Sequence, residues 1–330
     1  ISNLSVVAAK RTLDVSVCIG IAQVNREADG IAAVMAAAEI ACKAAKDEGK
    51  DRIEAFEENN TTLVRRSEEI EWIGRVQEAL RDDLFVLYCQ PVMPLLDKSR
   101  AAHFEVLIRM RDHNGEILSP IAFLPAAERY QLMPMVDRWV VHHTLKMLGA
   151  CWKTIAAGKP IFCINLSGQS FSNPGFQAFI MDEIREANIP PKNICFEVTE
   201  TVAISHIDDA VNFMSALRKF GCSFSLDDFG AGLSSFGYLK VLPLDYLKID
   251  GSFVREVTTD DVSRSMVQAI CQIGKTMSLS VIAEFVGDEE TKDALRSIGV
   301  DYAQGFGVGK PVPFTDILSE LELNASAATA

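Results

Sequence analysis

Short apolar runs recur along the chain between residues 84 and 306, and most of them end in a polar residue. Eight runs read as strands, at residues 84–92, 103–110, 160–167, 193–200, 223–229, 245–250, 280–286 and 301–306. Helical patterns lie between them, at residues 133–156, 174–188, 208–220, 260–277 and 289–298. Alternating strands and helices predict a mostly parallel sheet with helices outside it. Eight strands with apolar interiors favour a closed barrel over an open doubly wound sheet.

The first two runs are joined by the segment MPLLDKSRAA, which is too short for a helical crossover. Two parallel neighbours need a connection of a dozen or more residues, so these two runs should form a hairpin. The predicted fold class is therefore α/β, a (β/α)8 TIM-like barrel with one antiparallel strand.

The pattern changes on the N-terminal side of the barrel. Residues 1–58 hold a strand-like TLDVSVCIGIA, an Ala-rich helical stretch and a short strand, which predicts a small α+β fragment that is marginal as an independent domain. Residues 59–82 place apolar positions on one helical stripe, which indicates a connecting helix and is too short to indicate a coiled coil. We therefore predict a fragment at 1–58, a linker helix at 59–82, a barrel at 83–320 and a disordered tail at 321–330.

The formal net charge of −13 argues against binding to duplex nucleic acid, which needs a basic face. It is compatible with a phosphate-bearing ligand, because bound cations can reverse the local sign. No apolar run approaches the roughly 20 residues that cross a bilayer, and no signal peptide is visible. We expect a cytoplasmic protein. Because the chain begins with Ile1, we expect it to be a piece of a longer one, with membrane attachment only through a preceding region.

The eight cysteines show no CxxC spacing, and several lie inside apolar runs such as FCINL and ICFEV. This distribution predicts small core residues in a reducing compartment and disfavours zinc sites and disulfides.

The polar residues that end the runs carry the candidate chemistry. In a barrel of parallel strands, side chains at the C-terminal strand ends meet at one face, where active sites are built. Carboxylates gathered with an amide and a lysine indicate divalent-metal and phosphate-ester chemistry, and oxygen ligands suit Mg²⁺, Mn²⁺ or Ca²⁺. Any single one of these residues more often caps a helix or lies on a solvated rim, so the prediction depends on the whole set. The set is Glu105, Asn165, Glu197, Asp227, Asp228, Lys248, Glu284 and Gln304.

Asp227 and Asp228 are adjacent, and adjacent residues of a strand normally point to opposite faces. Both can face one site only if the strand ends there, and Gly230 and Gly232 would permit the bend. Two like charges about 4 Å apart repel by about 4 kcal/mol at an effective dielectric constant near 20, so the cluster needs cations.

Several sequence words together resemble a known family. Residues 84–313 resemble the EAL domain, through YCQP, EVLIR at 105–109, SPIAFLPAAE, DRW at 137–139, INLS, FEVTE, DDFGAGLSSFGYL, LPLDYLKID, IAEFV and QGF. The words VSVCIGIA and AAEIACKAAKDEGKDRI resemble the C-terminal third of a GGDEF, or diguanylate cyclase, domain. The GTP-binding hairpin of that family is absent from these residues, so the resemblance implies no cyclase activity here.

The EAL resemblance implies a bacterial signalling enzyme that hydrolyses cyclic di-GMP to linear pGpG with two Mg²⁺ or Mn²⁺ ions per site. Ca²⁺ would be a candidate inhibitory ion. It also implies roles for individual residues: metal ligation by Glu105, Asn165, Glu197, Asp227 and Asp228; catalysis by Lys248, Glu284, Gln304 and Asp228; substrate binding by Arg109, Leu107 and Gln90; and coupling to a homodimer interface by Glu200, Ser234 and Ser235.

The chain departs from the family pattern at three positions. Val106 replaces a usual Ala, Phe285 replaces a frequent Gly, and Gly287 replaces a usual Glu. None of these changes removes a metal ligand. Two other hypotheses stay open at this point: a receptor that binds cyclic di-GMP without cutting it, and a scaffold that only dimerises.

Overall fold

The protein is described by a computed structural model that covers residues 4–8, 11–15, 17–23, 34, 35, 38, 39, 41, 42, 45, 53–55, 61–230 and 236–329. The chain divides into two compact units, Ile1–Glu78 and Ala79–Ala330.

The first unit contains two small sheets. Strands β1 (Leu4–Ala8) and β2 (Arg11–Val15) pair antiparallel, whereas β3 (Ile19–Ile21) and β4 (Ile53–Ala55) pair parallel. The stretch TLDVSVCIGIA is therefore not one strand but two strands with different partners. The described residues between 34 and 45 are helical, as the Ala-rich pattern predicts. Helix α1 (Thr61–Arg81) coincides with the predicted linker helix.

The second unit is built on a closed ring of eight strands. Their order around the ring is β5, β13, β12, β11, β10, β9, β8 and β6, and β6 pairs again with β5. The bounds are β5 (Phe85–Pro94), β6 (His103–Arg111), β8 (Ile161–Asn165), β9 (Ile194–Thr199), β10 (Ser223–Phe229), β11 (Tyr246–Ile249), β12 (Ser280–Ala283) and β13 (Tyr302–Gln304). Two short strands, β7 (Ile117–Leu118) and β14 (Val312–Pro313), extend β6 and β5.

Strand β5 is antiparallel to both neighbours in the ring, and the other ring pairings are parallel. The predicted hairpin is confirmed by the pairing of β5 with β6, in which Gln90 lies opposite Glu105. The predicted barrel with one antiparallel strand is therefore correct.

Helices follow most of the strands. Their bounds are α2 (Pro120–Arg129), α3 (Met133–Ile155), α4 (Gly168–Phe171), α5 (Phe176–Glu186), α6 (Glu200–Ser205), α7 (Ile207–Phe220), α8 (Gly251–Val254), α9 (Asp261–Met277), α10 (Glu289–Ile298) and α11 (Phe314–Thr329). The strands are nearly continuous in apolar residues because both of their faces are covered. Phe162, Phe196 and Phe224 from three neighbouring strands are fully buried.

The C-terminal segment differs from the prediction. The sequence predicts a disordered tail over residues 321–330, whereas α11 continues to Thr329. Its first turn is anchored by the buried Phe314, whose ring lies edge-on to Phe162 at 5.8 Å between centroids. The alanines of this segment are good helix formers once such an anchor nucleates the helix.

Five of the eight cysteines are buried in the barrel unit, in agreement with their predicted role as core residues: Cys89, Cys163, Cys195, Cys222 and Cys271. Within the described part of the chain, no helix combines the length and the apolar character that crossing a bilayer requires.

Truncation of Phe224 tests the core. Phe224→Ala should lower the free energy of unfolding of the barrel by about 3–5 kcal/mol, because it removes a fully buried ring and leaves a cavity. Val262→Ala is the control, since Val262 is 69% exposed and its truncation should change stability by about 0.5 kcal/mol or less. Urea unfolding followed by circular dichroism measures both, and equal midpoints for the two variants would contradict the placement of Phe224.

Candidate active site

The C-terminal ends of the ring strands bring four carboxylates around one lysine. The Lys248 ammonium is buried at 1% exposure, and its Nζ atom contacts an oxygen of each carboxylate. The distances are 2.8 Å to Glu197 Oε2, 2.8 Å to Glu284 Oε1, 3.2 Å to Asp227 Oδ2 and 3.5 Å to Glu105 Oε2. These five residues come from five different strands or strand ends, and we call them the acidic cluster.

The acidic cluster perturbs the protonation of its own members. Burial alone would lower the pKa of Lys248, but the surrounding carboxylates, Asp227 and Glu105 first, hold that pKa well above its ordinary value. Burial would likewise raise the pKa of Glu105, but the charge of Lys248 and hydrogen bonds from Gln304 and Asn165 hold it below its usual range. The lysine is therefore charged, and Glu105 is ionised at neutral pH.

Glu197 and Glu284 behave differently from Glu105. Burial raises the pKa of each to about 8, and the Lys248 charge offsets this only in part. The like charges of Glu105 and Asp227 add to the increase for both residues. One ammonium is therefore too little positive charge to keep four neighbouring carboxylates ionised.

Three amide side chains complete the cluster on the side of Glu105. Asn165 Nδ2 donates to Glu105 Oε1 at 2.7 Å, and Gln304 Nε2 donates to Glu105 Oε2 at 2.5 Å. Gln304 also donates to Gln90 Oε1 at 3.2 Å, and Gln90 donates to the Gly309 carbonyl at 2.9 Å. Glu105 is therefore held from both sides, so its position is fixed without help from a ligand.

Asp227 and Asp228 share one site for a reason other than the predicted one. The strand does not end between them, because β10 continues to Phe229. Instead, its pairing with β11 slips between Leu226 and Phe229, and Asp228 adopts a left-handed φ of 54°. Such a bulge re-aims side chains beside active sites. The backbone N–H of Asp228 donates to Asp227 Oδ1 at 2.9 Å, which ties the two residues together.

The bulge creates a group of oxygen atoms suited to a cation. Carboxylate oxygens of Asp227, Asp228 and Glu284 lie within 4.8 Å of one another. Burial, then the charge of Asp227, raises the pKa of Asp228, as expected for anions brought together without enough positive charge. Glu197 Oε1 is buried and meets no hydrogen-bond donor among the residues that the structure describes. Hard oxygen donors, a surplus of negative charge and an unsatisfied buried oxygen fit a divalent cation such as Mg²⁺ or Mn²⁺.

The predicted substrate residues Leu107 and Arg109 lie further along β6, beyond Glu105 toward its C-terminal end. The Arg109 guanidinium is half-buried, lies 5.4 Å from the ring centre of Tyr88 and donates to the Ile108 carbonyl at 2.8 Å. Burial lowers its pKa from the usual value, but the group stays protonated. The structure thus places a fixed cation on the strand that carries Glu105.

Glu200 is buried outside the acidic cluster as defined above. It begins α6, where its carboxylate accepts from the Gly230 N–H at 3.0 Å and from the Tyr238 hydroxyl at 2.5 Å. It therefore ties together the two ends of the segment that follows β10. Ser234 and Ser235 belong to that segment and lie outside the described residues.

Phe285, one of the three departures from the family pattern, occupies a left-handed position with φ 53° and is 53% exposed. The Phe285 ring packs on Gly251, and a Cβ atom at residue 251 would come within 2.1 Å of that ring. The Arg255 guanidinium lies over the same ring, 4.2 Å from the ring centre. Glycine at 251 is therefore what makes room for the aromatic ring. At Gly287 a Cβ atom would meet no described atom within 4 Å, and Val106 is buried in β6.

Sequence reasoning assigned no role to three residues that the structure places beside the site. Tyr238 binds Glu200, as described above. Asp250 lies just past the end of β11, and its charge helps to raise the pKa of Asp228. Asp137 is buried behind the loop that follows Asn165, and it accepts three hydrogen bonds there. The words LPLDYLKID and DRW contain the last two residues, but only the contacts show what they do.

The structure is a closed eight-stranded barrel with a buried carboxylate–lysine cluster at the C-terminal ends of its strands. The chain belongs to the EAL domain family, whose model matches residues 73–311.

Relatives of this family extend the likeness. The chain is 36% identical over 288 residues to "Cyclic di-GMP phosphodiesterase PdeB" of Shewanella oneidensis, and the alignment covers 86% of this chain and 33% of the relative. It is 34% identical over 255 residues to "Cyclic di-GMP phosphodiesterase PdeF" of Escherichia coli, and that alignment covers 77% of this chain and 34% of the relative. The chain thus spans about a third of the length of these curated relatives.

Solved structures share the fold. The structure "PaMucR Phosphodiesterase, c-di-GMP complex" aligns with a TM-score of 0.69 at 29% identity, covering 75% of this chain and 99% of that one. The FimX EAL domain from Pseudomonas aeruginosa bound to c-di-GMP aligns with a TM-score of 0.67 at 27% identity, covering 73% and 96%.

Removal of the central lysine tests the electrostatics of the acidic cluster. In metal-free buffer, Lys248→Met should lower the free energy of unfolding by roughly 3–5 kcal/mol, because it leaves buried carboxylates without their cation. The loss should be smaller at pH 5 than at pH 8, since protonated carboxylates no longer repel one another.

Lys146→Met is the matched control, because Lys146 is exposed on α3 and its removal should change little at either pH. Denaturant unfolding at the two pH values measures both variants. A Lys248→Met protein as stable as the control at pH 8 would show that the lysine does not neutralise the cluster.

Proposed function

We propose that this chain hydrolyses cyclic di-GMP to linear pGpG. The observation that carries the proposal is the acidic cluster, in which Glu105, Glu197, Asp227 and Glu284 meet around Lys248 beside the amides of Asn165 and Gln304. The relatives that are named cyclic di-GMP phosphodiesterases, and the solved structures with bound c-di-GMP, support the substrate.

The residues that would hold a first divalent cation are Glu105, Asn165, Glu197 and Asp227, and Asp227 with Asp228 would hold a second. The donor set fits Mg²⁺ or Mn²⁺, and Ca²⁺ is a candidate inhibitor because it tolerates looser geometry. When bound, two such ions neutralise charge on the phosphodiester and favour ionisation of a water molecule.

The chain's own residues would position the attacking water and move its proton. Glu284 would accept the proton of the attacking water, and Lys248 would orient that water by turning one of its three N–H donors from a carboxylate of the acidic cluster to the water. Gln304 holds Glu105 and supports the same arrangement. The water oxygen bonds to phosphorus, the bond from phosphorus to the 3′ oxygen breaks, and the 3′ oxygen leaves with the proton that Glu284 took from the water, which returns Glu284 to its ionised form. The product is linear, with a terminal phosphate.

Arg109, Leu107 and Gln90 would bind the substrate. Arg109 offers a guanidinium fork that matches two phosphate oxygens, and half-burial strengthens such a contact. Leu107 lies two residues before Arg109 on the same strand, so its side chain points to the same face and offers an apolar surface there.

The proposal extends to the rest of the chain. We propose that residues 1–58 are the C-terminal part of a GGDEF domain, that 59–82 link it to the barrel, and that the phosphodiesterase domain occupies residues 83–320. The relative named "Bifunctional diguanylate cyclase/cyclic di-GMP phosphodiesterase MucR" of Pseudomonas aeruginosa supports this, since it aligns over 313 residues at 28% identity and covers 95% of this chain. A cytoplasmic homodimer, coupled to the site through Glu200, Ser234 and Ser235, completes the proposal. A monomer in analytical ultracentrifugation would contradict the dimer.

Turnover tests the main proposal. With Mg²⁺ or Mn²⁺, the protein should convert cyclic di-GMP to pGpG, detected by chromatography, and EDTA should abolish the reaction. Binding in calorimetry without product at saturating metal would instead indicate a silent receptor, although the complete ligand set disfavours that alternative. No detectable affinity would indicate a scaffold.

Truncation of Glu105 tests the site. Glu105→Ala should lower the turnover rate by more than about 100-fold, because even the loss of an outer-shell partner of a metal site costs 10–100-fold. Glu290→Gln is the control, since Glu290 is exposed on α10 and its neutralisation should leave the rate within about two-fold of wild type. If Glu105→Ala turned over cyclic di-GMP at the wild-type rate, the acidic cluster would have no part in the reaction. The same silenced variant should make no cyclic di-GMP from GTP, and a product there would contradict the expectation that these residues carry no cyclase activity.

A further inference from the structure

A carboxylate lies buried outside the barrel ring, behind the loop that follows β8. Asp137 is 3% exposed and belongs to the face of α3 that packs on the barrel. The other buried residues of that face are apolar or uncharged: Val136, Val140, Val141, Thr144, Leu145, Leu148, Trp152 and Ile155. An ionisable group in such a row is costly, since a buried charge needs compensating partners.

All the partners that the structure gives Asp137 lie in one short segment. Its Oδ2 atom accepts from the Ser167 N–H at 3.0 Å, from Ser167 Oγ at 2.7 Å and from Ser170 Oγ at 2.6 Å. Among the described residues, no cation forms an ion pair with it. Burial raises its pKa to about 6, and the three donors from the two serines offset this only in part. The carboxylate is therefore used to hold these serines rather than to neutralise a charge.

The segment that Asp137 holds starts two residues after Asn165. Leu166 N–H donates to the Glu197 carbonyl at 2.9 Å on one side, and Ser167 binds Asp137 on the other. Asn165 itself is exposed, and within the described part of the chain its side chain makes one hydrogen bond, to Glu105. Packing does not fix an exposed side chain of this kind, so its position depends on the backbone that carries it.

We propose that Asp137 is a positioning residue for the acidic cluster: by fixing Ser167 and Ser170 it sets the backbone at Asn165 and thereby the amide that orients Glu105. The effect on the cation rests on the proposed function. The effect on Asn165 does not, because it follows from the hydrogen bonds alone.

Direct Mn²⁺ binding is the first readout. By calorimetry and by loss of the free Mn²⁺ signal in electron paramagnetic resonance, Asp137→Ala should bind Mn²⁺ about 10–100-fold more weakly than wild type, as the loss of an outer-shell support does. Ser170→Ala removes one of the three donors and keeps the carboxylate, so it should bind only a few-fold more weakly. Ser170→Ala also tests the proposal if Asp137→Ala does not fold.

Val141→Ala is the matched control. Val141 is fully buried one turn along the same face of α3, so its truncation disturbs the helix without removing a hydrogen bond to the serines. Its Mn²⁺ affinity should equal that of wild type even where its unfolding midpoint is lowered. Equal weakening by Val141→Ala and by the Asp137 and Ser170 variants would mean that general destabilisation explains the loss, and this would overturn the proposal.

The second readout is the NMR signal of the Asn165 side-chain amide without metal, assigned by its loss in Asn165→Asp. This signal should shift or broaden in Ser170→Ala and Asp137→Ala but not in Val141→Ala. If wild type fails to bind Mn²⁺, the proposed metal-dependent function fails, and the amide signal alone decides the role of Asp137. An unchanged amide signal in the Asp137 and Ser170 variants overturns that role whatever the metal result.

Discussion

One buried lysine surrounded by four carboxylates is the constraint on which the site depends. At 2.8–3.5 Å and an effective dielectric constant near 20, a contact of Lys248 with an ionised carboxylate is worth about 5–6 kcal/mol of attraction before desolvation is subtracted. The carboxylates also repel one another, and a single ammonium leaves them with excess negative charge. The raised pKa values of Glu197 and Glu284 are the result. A site of this kind is stable as a protein core only because it can take up protons or cations.

The barrel makes this concentration of charge possible. Parallel strands align their C-terminal ends, so residues far apart in sequence reach one rim. The antiparallel strand β5 contributes differently, since its Gln90 lies opposite Glu105 in the ladder and links Gln304 to the Gly309 carbonyl. The bulge at Asp227 and Asp228 adds a second carboxylate from a single strand. The amide side chains of Asn165 and Gln304 fix Glu105 on one side of the site, and carboxylates with uncompensated negative charge lie on the other. The site is therefore organised before a ligand binds.

Much of this arrangement could be predicted from the sequence. The apolar runs located the eight strands to within a few residues, and the short segment between the first two runs identified the hairpin. The polar residues at the strand ends identified the acidic cluster, because a barrel leaves them no other place to meet. These features depend on periodicity and chain direction, which are local properties of a sequence.

Other features depend on contacts that no local pattern contains. The bulge at Asp228 and the left-handed Phe285 depend on neighbouring strands and on room left by Gly251. The role of Asp137 appears only when α3 packs behind the loop at Ser167. The continuation of α11 to Thr329 depends on an anchor at Phe314, which a composition rich in small residues does not reveal.

The central claim is that the acidic cluster is a binding site for divalent cations. The most direct measurement is anomalous X-ray scattering from crystals grown with Mn²⁺. The account predicts an anomalous peak within coordination distance of Asp227, with Glu105, Asn165 and Glu197 or with Asp228 as its other ligands. Well-ordered crystals with saturating Mn²⁺ and no anomalous peak beside Asp227 would contradict it.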